Sequence, residues 1–363
     1  MHAKSDLVPR DSLADHFDSI LELGVALEPE HLFEQQDTVL KHFRRITAEN
    51  AMKWGRLCPT PGQYRWEAAD QIAQFARRYQ LRMTGHTLLW HQMQPEWLFT
   101  DGAGVLSPQR LAERLREHVF RVVERYADVV DNWDVANEVI SEAPTEFWRG
   151  AHEGSQWYGV FGDATFVDLA FQYAAEAVDR YCPSSKLYYN DYNLERADKR
   201  DKALEMVRRL RARGVRVDGI GLQGHVTLDW PTPKDFGKAI DEVHAQNLLC
   251  KVSELDVSIY PVDEQSTKLY YRSLEASPEL ETRVAQRYLE LFEAFVERSS
   301  YLSSIVFWGL SDDHSWLNHY PVRRLNYPLL IGRDHQPKQA LHRLLQLPIP
   351  GSVRSSCDTG SAL

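Results

Sequence analysis

The sequence lacks features that would mark several classes of protein. It contains no C-x-x-C pair, and its four cysteines are scattered along 363 residues, at Cys58, Cys182, Cys250 and Cys357. We therefore expect free thiols, and neither a disulfide framework nor a cysteine-based metal site. No run approaches the ~18 apolar residues of a membrane span.

Basic charge is also scarce. The net charge is -10 and the isoelectric point is near 5.8, whereas nucleic acid and anionic membranes attract proteins that carry a basic stripe. The arginine-rich run Arg208–Arg216 has helical spacing and is interpreted as a solvated helix face. Neither nucleic acid nor a membrane is an expected partner.

The first residues have no apolar segment of the kind found in signal peptides. A cytoplasmic location is the expectation that follows, although a secreted protein whose signal had been removed would have the same sequence. Polar, small residues dominate both ends of the chain. We expect a flexible N-terminal extension at 1–11, a folded region at 12–347 and a flexible tail at 348–363.

What the sequence does contain is a regular alternation of short β-rich runs with longer segments of helical period. Eight strand-like runs are present: "LELGVAL", "FRRITAEN", "LRMTGHTLLW", "VVDNWDVANE", "SKLYYND", "VDGIGLQGH", "LLCKVSELD" and "SSIVFWGL". Eight such units suit the α/β class and a closed (β/α)₈ TIM barrel in one domain. An open doubly wound sheet would carry G-x-G-x-x-G after its first strand, and "GVALEPEHLF" has no such motif.

Polar or aromatic residues end seven of the eight predicted strands. In chain order they are Glu49 and Asn50, His86, Asn137 and Glu138, Asn190 and Asp191, Gln223 and His225, Glu254 and Asp256, and Trp308. In a TIM barrel these ends meet on one rim, where active sites lie.

Two of the acids follow apolar neighbours and are expected to be held rigidly: Glu138 after "WDVAN" and Glu254 after "CKVS". A single acid at a rim is more often half of a salt bridge. Two positioned carboxyls among amides, histidine and tryptophan are typical of glycoside hydrolysis, in which one acts as an acid and the other attacks or stabilises the anomeric carbon.

A metal site is the main alternative interpretation of these residues. The candidate ligands are His86, His91, His152, His225, Glu254 and Asp256. Their spacing matches neither H-x-H nor H-E-x-x-H, so the sequence favours the carboxylate pair. We expect neither a metal nor a cofactor.

The motifs at these strand ends resemble glycoside hydrolase family 10, the endo-β-1,4-xylanases. The resemblance rests on "ENAMKW", "GHTLLWH", "WDVANE", "YYNDYN", "DGIGLQGH", "VSELD" and "FWGLSDDHSWL", which occur in this order along nearly the whole chain. It implies a retaining endo-hydrolase on a (β/α)₈ barrel that acts as a monomer on xylan or xylo-oligosaccharides.

The resemblance also implies residue roles. Glu138 matches the general acid/base and Glu254 the nucleophile, while Asn137 matches the partner of the sugar 2-hydroxyl. His225, backed by Asp256, matches the residue that positions Glu254, with Gln223 beside it. The remaining matches are sugar contacts on the glycone side, Glu49, Asn50, Lys53, His86 and Trp90, and aromatic walls, Trp308 and Trp316.

Repulsion between two close carboxyls is expected to leave Glu138 protonated while Glu254 is ionised. One departure from the family pattern concerns the glycone side, where Met93 stands at a usual glutamine position beside Gln92 and Gln94.

Two functions other than xylan hydrolysis stay open. One is an endo-β-1,4-glucanase. The other is a non-catalytic carbohydrate-binding barrel, which is disfavoured because both acids are present.

Overall fold

The structure is a computed structural model that describes residues 11–102, 104–261 and 274–350. Most of the two predicted terminal extensions lies outside the described residues, as does Cys357. Within the described parts, Asp11 forms an ion pair with Lys41. Ile349 is buried, so core packing continues past residue 347.

Eight parallel strands form a closed barrel. In chain order they are Glu22–Leu27, Arg45–Ala48, Arg82–Leu89, Val130–Asn137, Lys186–Asp191, Gly219–Leu222, Leu249–Ser258 and Leu302–Phe307. The eighth strand pairs with both the seventh and the first, with Val25 opposite Phe307 at the closing seam. The predicted (β/α)₈ barrel is therefore confirmed.

The barrel strands are buried on both faces because side chains point alternately into the barrel and toward the helices. All residues of the first strand except Glu22 are buried, as are all four of the second. The N-terminal end of the barrel is closed by Arg45, whose guanidinium forms ion pairs with Glu22 and Asp131, each at 2.5 Å.

The α-helices surround the barrel. They span Leu13–Phe17, His31–Glu34, Gln36–His42, Trp54–Leu57, Glu67–Tyr79, Pro108–Tyr126, Gln156–Phe161, Thr165–Tyr181, Ala197–Ala212, Pro233–His244, Pro278–Val296 and Gln339–Leu344. Three of the long ones begin with a Ser or Thr cap followed by proline, at Ser107, Thr232 and Ser277. The cap accepts an otherwise unpaired N–H, and proline in the first turn loses no helical hydrogen bond.

Several smaller elements lie outside the barrel strands and the α-helices. Short 3₁₀ turns span Glu96–Phe99, Ala151–Glu153 and Trp316–Asn318, and Thr100–Asp101 pairs with Gly104–Val105. The predicted sixth strand is interrupted at Gly224, after which His225–Thr227 pairs separately with the seventh strand. None of the helices among the described residues is long and apolar enough to cross a membrane.

Candidate active site

The carboxyl ends of the strands form one rim, as the barrel topology requires. Asn137 ends the fourth strand and is followed by Glu138, whereas Glu254 lies inside the seventh strand. Both acids are buried, at 8% and 4% exposure. Strand hydrogen bonds hold the seventh-strand acid, so the position of Glu254 depends on the barrel and not on a loop.

The backbone of Glu138 adopts a left-handed conformation, with φ at +57°. This region is unfavourable for residues other than glycine and often marks functional positions. Two contacts hold the turn: the Glu138 N–H donates to the Asn190 carbonyl at 2.9 Å, and Arg149 Nε donates to the Glu138 carbonyl at 2.8 Å. The strand therefore ends at Asn137, and the turn directs the Glu138 side chain into the rim.

The carboxyl group of Glu138 accepts three hydrogen bonds. The donors are Trp90 Nε1 at 2.9 Å, Gln223 Nε2 at 3.0 Å and Asn137 Nδ2 at 3.2 Å. Burial raises the pKa of Glu138, but attraction to His91 and the bonds from Gln223 and Trp90 outweigh it and lower the pKa. Burial lowers the pKa of His91 to about 4, so His91 is neutral at neutral pH. At that pH the hydrogen bonds from Gln223 and Trp90 are the contacts that still lower the pKa of Glu138. The pKa of Glu138 is thus lowered, whereas repulsion between the two carboxyls was expected to raise it.

Glu254 is held by an amide and by an imidazole. Asn190 Nδ2 donates to its Oε1 at 2.6 Å, and His225 Nε2 lies 3.2 Å from its Oε2. The other ring nitrogen of His225 lies 2.9 Å from Asp256 Oδ2, which also accepts from Trp316 Nε1 at 2.8 Å. Burial lowers the pKa of His225, but the attraction and hydrogen bonds of Asp256 and Glu254 raise it to about 10. His225 is therefore an imidazolium at neutral pH and donates to both acids.

Side-chain amides connect the two acids. Asn190 Nδ2 donates to Asn137 Oδ1 at 2.8 Å as well as to Glu254, and Gln223 Nε2 lies 3.4 Å from the same Asn137 oxygen. The Ser253 hydroxyl donates to Asn190 Oδ1 at 2.5 Å, which fixes the orientation of the Asn190 amide. Asn137 bonds to Glu138 and not directly to Glu254.

Comparison with known proteins places this chain in a family. Residues 12–347 match the family described as glycosyl hydrolase family 10. The chain belongs to glycosyl hydrolase family 10. It is therefore a glycoside hydrolase, and its closed barrel agrees with solved members of the family.

The similar proteins are named as xylanases or as a celloxylanase. A β-1,4-xylanase of Dictyoglomus thermophilum is 38% identical, with 92% of this chain and 90% of the relative aligned. An endo-1,4-β-xylanase of Geobacillus stearothermophilus is 35% identical, over 93% and 98% of the two chains. A thermostable celloxylanase of Thermoclostridium stercorarium is 37% identical, over 91% and 85%.

Solved structures agree with this family 10 fold. A family 10 protein of Paenibacillus barcinonensis superposes with a TM-score of 0.86 at 33% identity, covering 95% of this chain and 99% of that one. A variant protein in complex with xylotriose superposes with a TM-score of 0.84 at 32% identity, covering 93% and 99%.

The predicted glycone-side residues of this family 10 enzyme form a second polar cluster. Lys53 Nζ donates to Asn50 Oδ1 at 3.0 Å and lies over the ring of Trp90, 4.7 Å from its centroid. Asn50 Nδ2 donates to Glu28 Oε1 at 2.5 Å and lies 3.4 Å from Glu49 Oε1. Burial and the neighbouring Glu28 raise the pKa of Glu49 to about 7. This set of donors and acceptors can bind sugar hydroxyls.

Two predicted aromatic residues and His86 lie beside these clusters. Trp308 is buried, with its ring 5.1 Å from that of His86 and 5.8 Å from Lys53 Nζ. Nδ1 of His86 lies 3.0 Å from Asp134 Oδ2, and that acid also pairs with Lys251. Trp316 is half-buried, with its ring 4.9 Å from that of His225.

The hydrogen bonds of the two glutamines beside Met93 do not go to the polar side chains of Glu49, Asn50 and Lys53. Gln94 donates to the Trp90 carbonyl, and the exposed Gln92 lies 3.3 Å from His91 Nε2. Met93 itself has φ at +48°, and its carbonyl accepts from the Gly55 N–H at 2.9 Å. A Cβ at position 55 would lie 2.4 Å from that carbonyl oxygen, so this close approach requires glycine.

Three residues of the site were missed by the sequence-based assignment of roles. Glu28 follows the first strand directly, so the strand-end rule would have found it. Asn190 was recognised as a strand end, but its contact with Glu254 depends on how the fifth and seventh strands are arranged across the barrel. Arg149 lies in a loop and carries no local signal.

The alternative set of metal ligands is not assembled. His225 lies between two carboxyls, His86 bonds to Asp134, and His152 lies beside Glu146 on an exposed loop.

Proposed function

We propose that this family 10 glycoside hydrolase is an endo-β-1,4-xylanase, with Glu138 as the general acid/base and Glu254 as the nucleophile. The observation that carries the proposal is a pair of buried acids joined through the amides of Asn137 and Asn190, with the ring of His225 against Glu254 and not against Glu138. The two acids have different partners and can therefore have different roles.

In the first step, Glu254 attacks the anomeric carbon of the sugar. The bond to the leaving oxygen breaks as Glu138 donates a proton to it, and a covalent glycosyl ester forms on Glu254. The contacts with Asn190 and His225 hold the Glu254 carboxyl in position for the attack.

Glu138 must be protonated at this point, although its donors favour the ionised form in the free protein. The glycosidic oxygen can only accept a hydrogen bond, so its arrival stabilises the protonated carboxyl. In the second step, Glu138 takes a proton from water, which attacks the anomeric carbon and releases Glu254. Because the attacking groups approach from opposite faces in turn, the β configuration is retained.

The substrate is tested by measuring reducing-sugar release from xylan and from carboxymethylcellulose in parallel. We expect hydrolysis of xylan, with internal cleavage visible as a fall in viscosity that precedes the accumulation of short products. Absence of activity on xylan would contradict the proposal.

An endo-β-1,4-glucanase is the second candidate, and the relative named a celloxylanase favours retaining it. Glucose carries a hydroxymethyl group that xylose lacks, so the two substrates differ in the space required around the sugar ring. A higher kcat/KM on carboxymethylcellulose than on xylan would select this alternative.

Asp256→Asn is expected to lower the pKa of His225 and with it the activity at alkaline pH. A histidine whose pKa is raised by folding stabilises the folded state, and this contribution is complete at pH values below the histidine pKa of the unfolded chain, about 6.5. That contribution is lost as the pH rises toward the folded value of about 10. In the variant, the contribution should be smaller, and its loss should still begin near the unfolded value but finish at lower pH, as measured by NMR titration of His225 and by unfolding across this range.

Trp316→Phe is the matched control for Asp256→Asn. It removes the indole donor to Asp256 Oδ2 but keeps the carboxylate charge, so the pKa of His225 should stay high. An unchanged His225 titration in Asp256→Asn would contradict the assigned pairing.

Trp90→Phe is expected to raise the pKa of Glu138, because it removes an N–H donor that favours the carboxylate. The alkaline limb of kcat/KM reports loss of the proton from the essential acid of the free enzyme. The limb should therefore move to higher pH, as measured with an aryl xylobioside. A limb that moved to lower pH, or did not move, would show that Trp90 does not tune this acid.

A further inference from the structure

Four side chains with metal-ligand chemistry meet away from the proposed catalytic pair. Nε2 of His314 and Nε2 of His335 each lie 3.1 Å from the same oxygen, Asp313 Oδ2. Glu34 Oε2 lies 3.9 Å from His314 Nε2. Ligand atoms of Glu34, His314 and His335 all lie within 4.8 Å of one another.

These residues come from three segments at the closing seam of the barrel. Glu34 ends the short helix after the first strand, and Asp313 and His314 follow the eighth strand, which pairs with the first. His335 lies in a tight turn, where its N–H donates to the Gly332 carbonyl and its φ is +60°. The cluster thus joins the first and last βα units with the C-terminal segment.

We propose that Glu34, Asp313, His314 and His335 form a binding site for one divalent transition-metal ion, zinc in the first place. Two imidazole nitrogens with carboxylate oxygens are ligands that zinc prefers, whereas Ca²⁺ and Mg²⁺ prefer oxygen alone. Around a tetrahedral ion with bonds of about 2.0–2.1 Å, neighbouring ligand atoms lie roughly 3.4 Å apart. Each nitrogen lies 3.1 Å from Asp313 Oδ2, which is close to that spacing, so the ion would replace the ring protons that face the carboxylate.

A second group in the described residues provides a matched comparison. Glu146, His152 and Glu153 also bring three ligand atoms within 4.8 Å of one another. This group has a single imidazole, and the His152 side chain is 63% exposed. It offers the weaker donor set and lies on the loop after the fourth strand.

The test uses the full chain without an affinity tag, stripped of metal with a chelator and titrated calorimetrically with ZnCl₂. We expect one saturable site and, at a hundredfold excess over Kd, a rise in Tm of about 3 °C. His335→Gln and His314→Gln keep a hydrogen-bond donor toward Asp313 but remove the ligand nitrogen, so both the heat and the shift should be lost. His152→Gln should behave like the wild type.

The site does not depend on the proposed xylanase activity, and its readouts are binding and Tm. Wild-type protein with no saturable zinc binding would overturn the proposal, as would unaltered zinc binding in both His335→Gln and His314→Gln. The Tm of each variant without zinc reports folding separately. Zinc-soaked wild-type crystals provide a test that needs no variant: an anomalous peak between His314 and His335 supports the site, and zinc found only elsewhere contradicts it.

Discussion

Glu254→Ala is expected to lower the turnover of xylan by on the order of 10⁴-fold or more, since the variant lacks the carboxylate that forms the glycosyl ester in the proposed mechanism. The replacement also removes one of the two acceptors of Asn190 Nδ2 and the carboxylate partner of His225 Nε2. We therefore expect a loss of stability of about 1–3 kcal/mol in addition to the loss of turnover. Turnover is measured as reducing-sugar release, and stability by denaturant unfolding.

Glu254→Gln separates these two effects. A glutamine keeps an oxygen that accepts from Asn190 but cannot act as the nucleophile, so turnover should be lost while stability falls less. Asp131→Asn serves as the control, because Asp131 lies at the opposite end of the fourth strand and pairs with Arg45. That variant should keep its turnover below its unfolding temperature. Wild-type turnover in Glu254→Gln would refute the nucleophile assignment.

Glu138→Ala is expected to lower the turnover of xylan by about 10²–10⁴-fold, the usual contribution of a general acid/base. The size of the effect should depend on the leaving group. An aryl xylobioside with an acidic phenol leaves without protonation, so its first step should be nearly as fast as in the wild type. The ester on Glu254 should then accumulate, because no base activates water.

This dependence on the leaving group distinguishes the two acids. Burst kinetics with the activated aryl substrate measures the first step and the release of the ester separately. Glu138→Ala should give a burst followed by slow turnover, whereas Glu254→Ala should give no burst. An equal loss on xylan and on the activated substrate would show that Glu138 acts in some other way.

The fold was predictable from the sequence because parallel strands that are buried on both faces leave a strong local signal. Short β-rich runs such as "LELGVAL" alternate with amphipathic helices, and the absence of a glycine-rich loop after the first strand favoured a closed barrel. The sixth strand was predicted less well. Its interruption at Gly224, with φ at +81°, moves His225 onto a separate segment beside the seventh strand.

The sequence by itself identified the residues at the strand ends, since the period of the strands determines which residues reach the rim. Glu138, Glu254 and His225 were all recognised in this way. Their protonation states could not be deduced from the strand pattern. The pKa of Glu138 was expected to be raised, but the structure lowers it. The groups that lower it, His91, Gln223 and Trp90, follow the third and sixth strands.

Only the tertiary structure decided which side chains contact which. Asn190 and Glu254 are 64 residues apart in the chain but 2.6 Å apart across the barrel. His335 and Asp313 meet at the seam in the same way. Hydrogen bonds and pKa values depend on distances of a few ångström between side chains, and the closure of the barrel sets these distances. A strand pattern determines which face a residue occupies, but not its neighbours on that face.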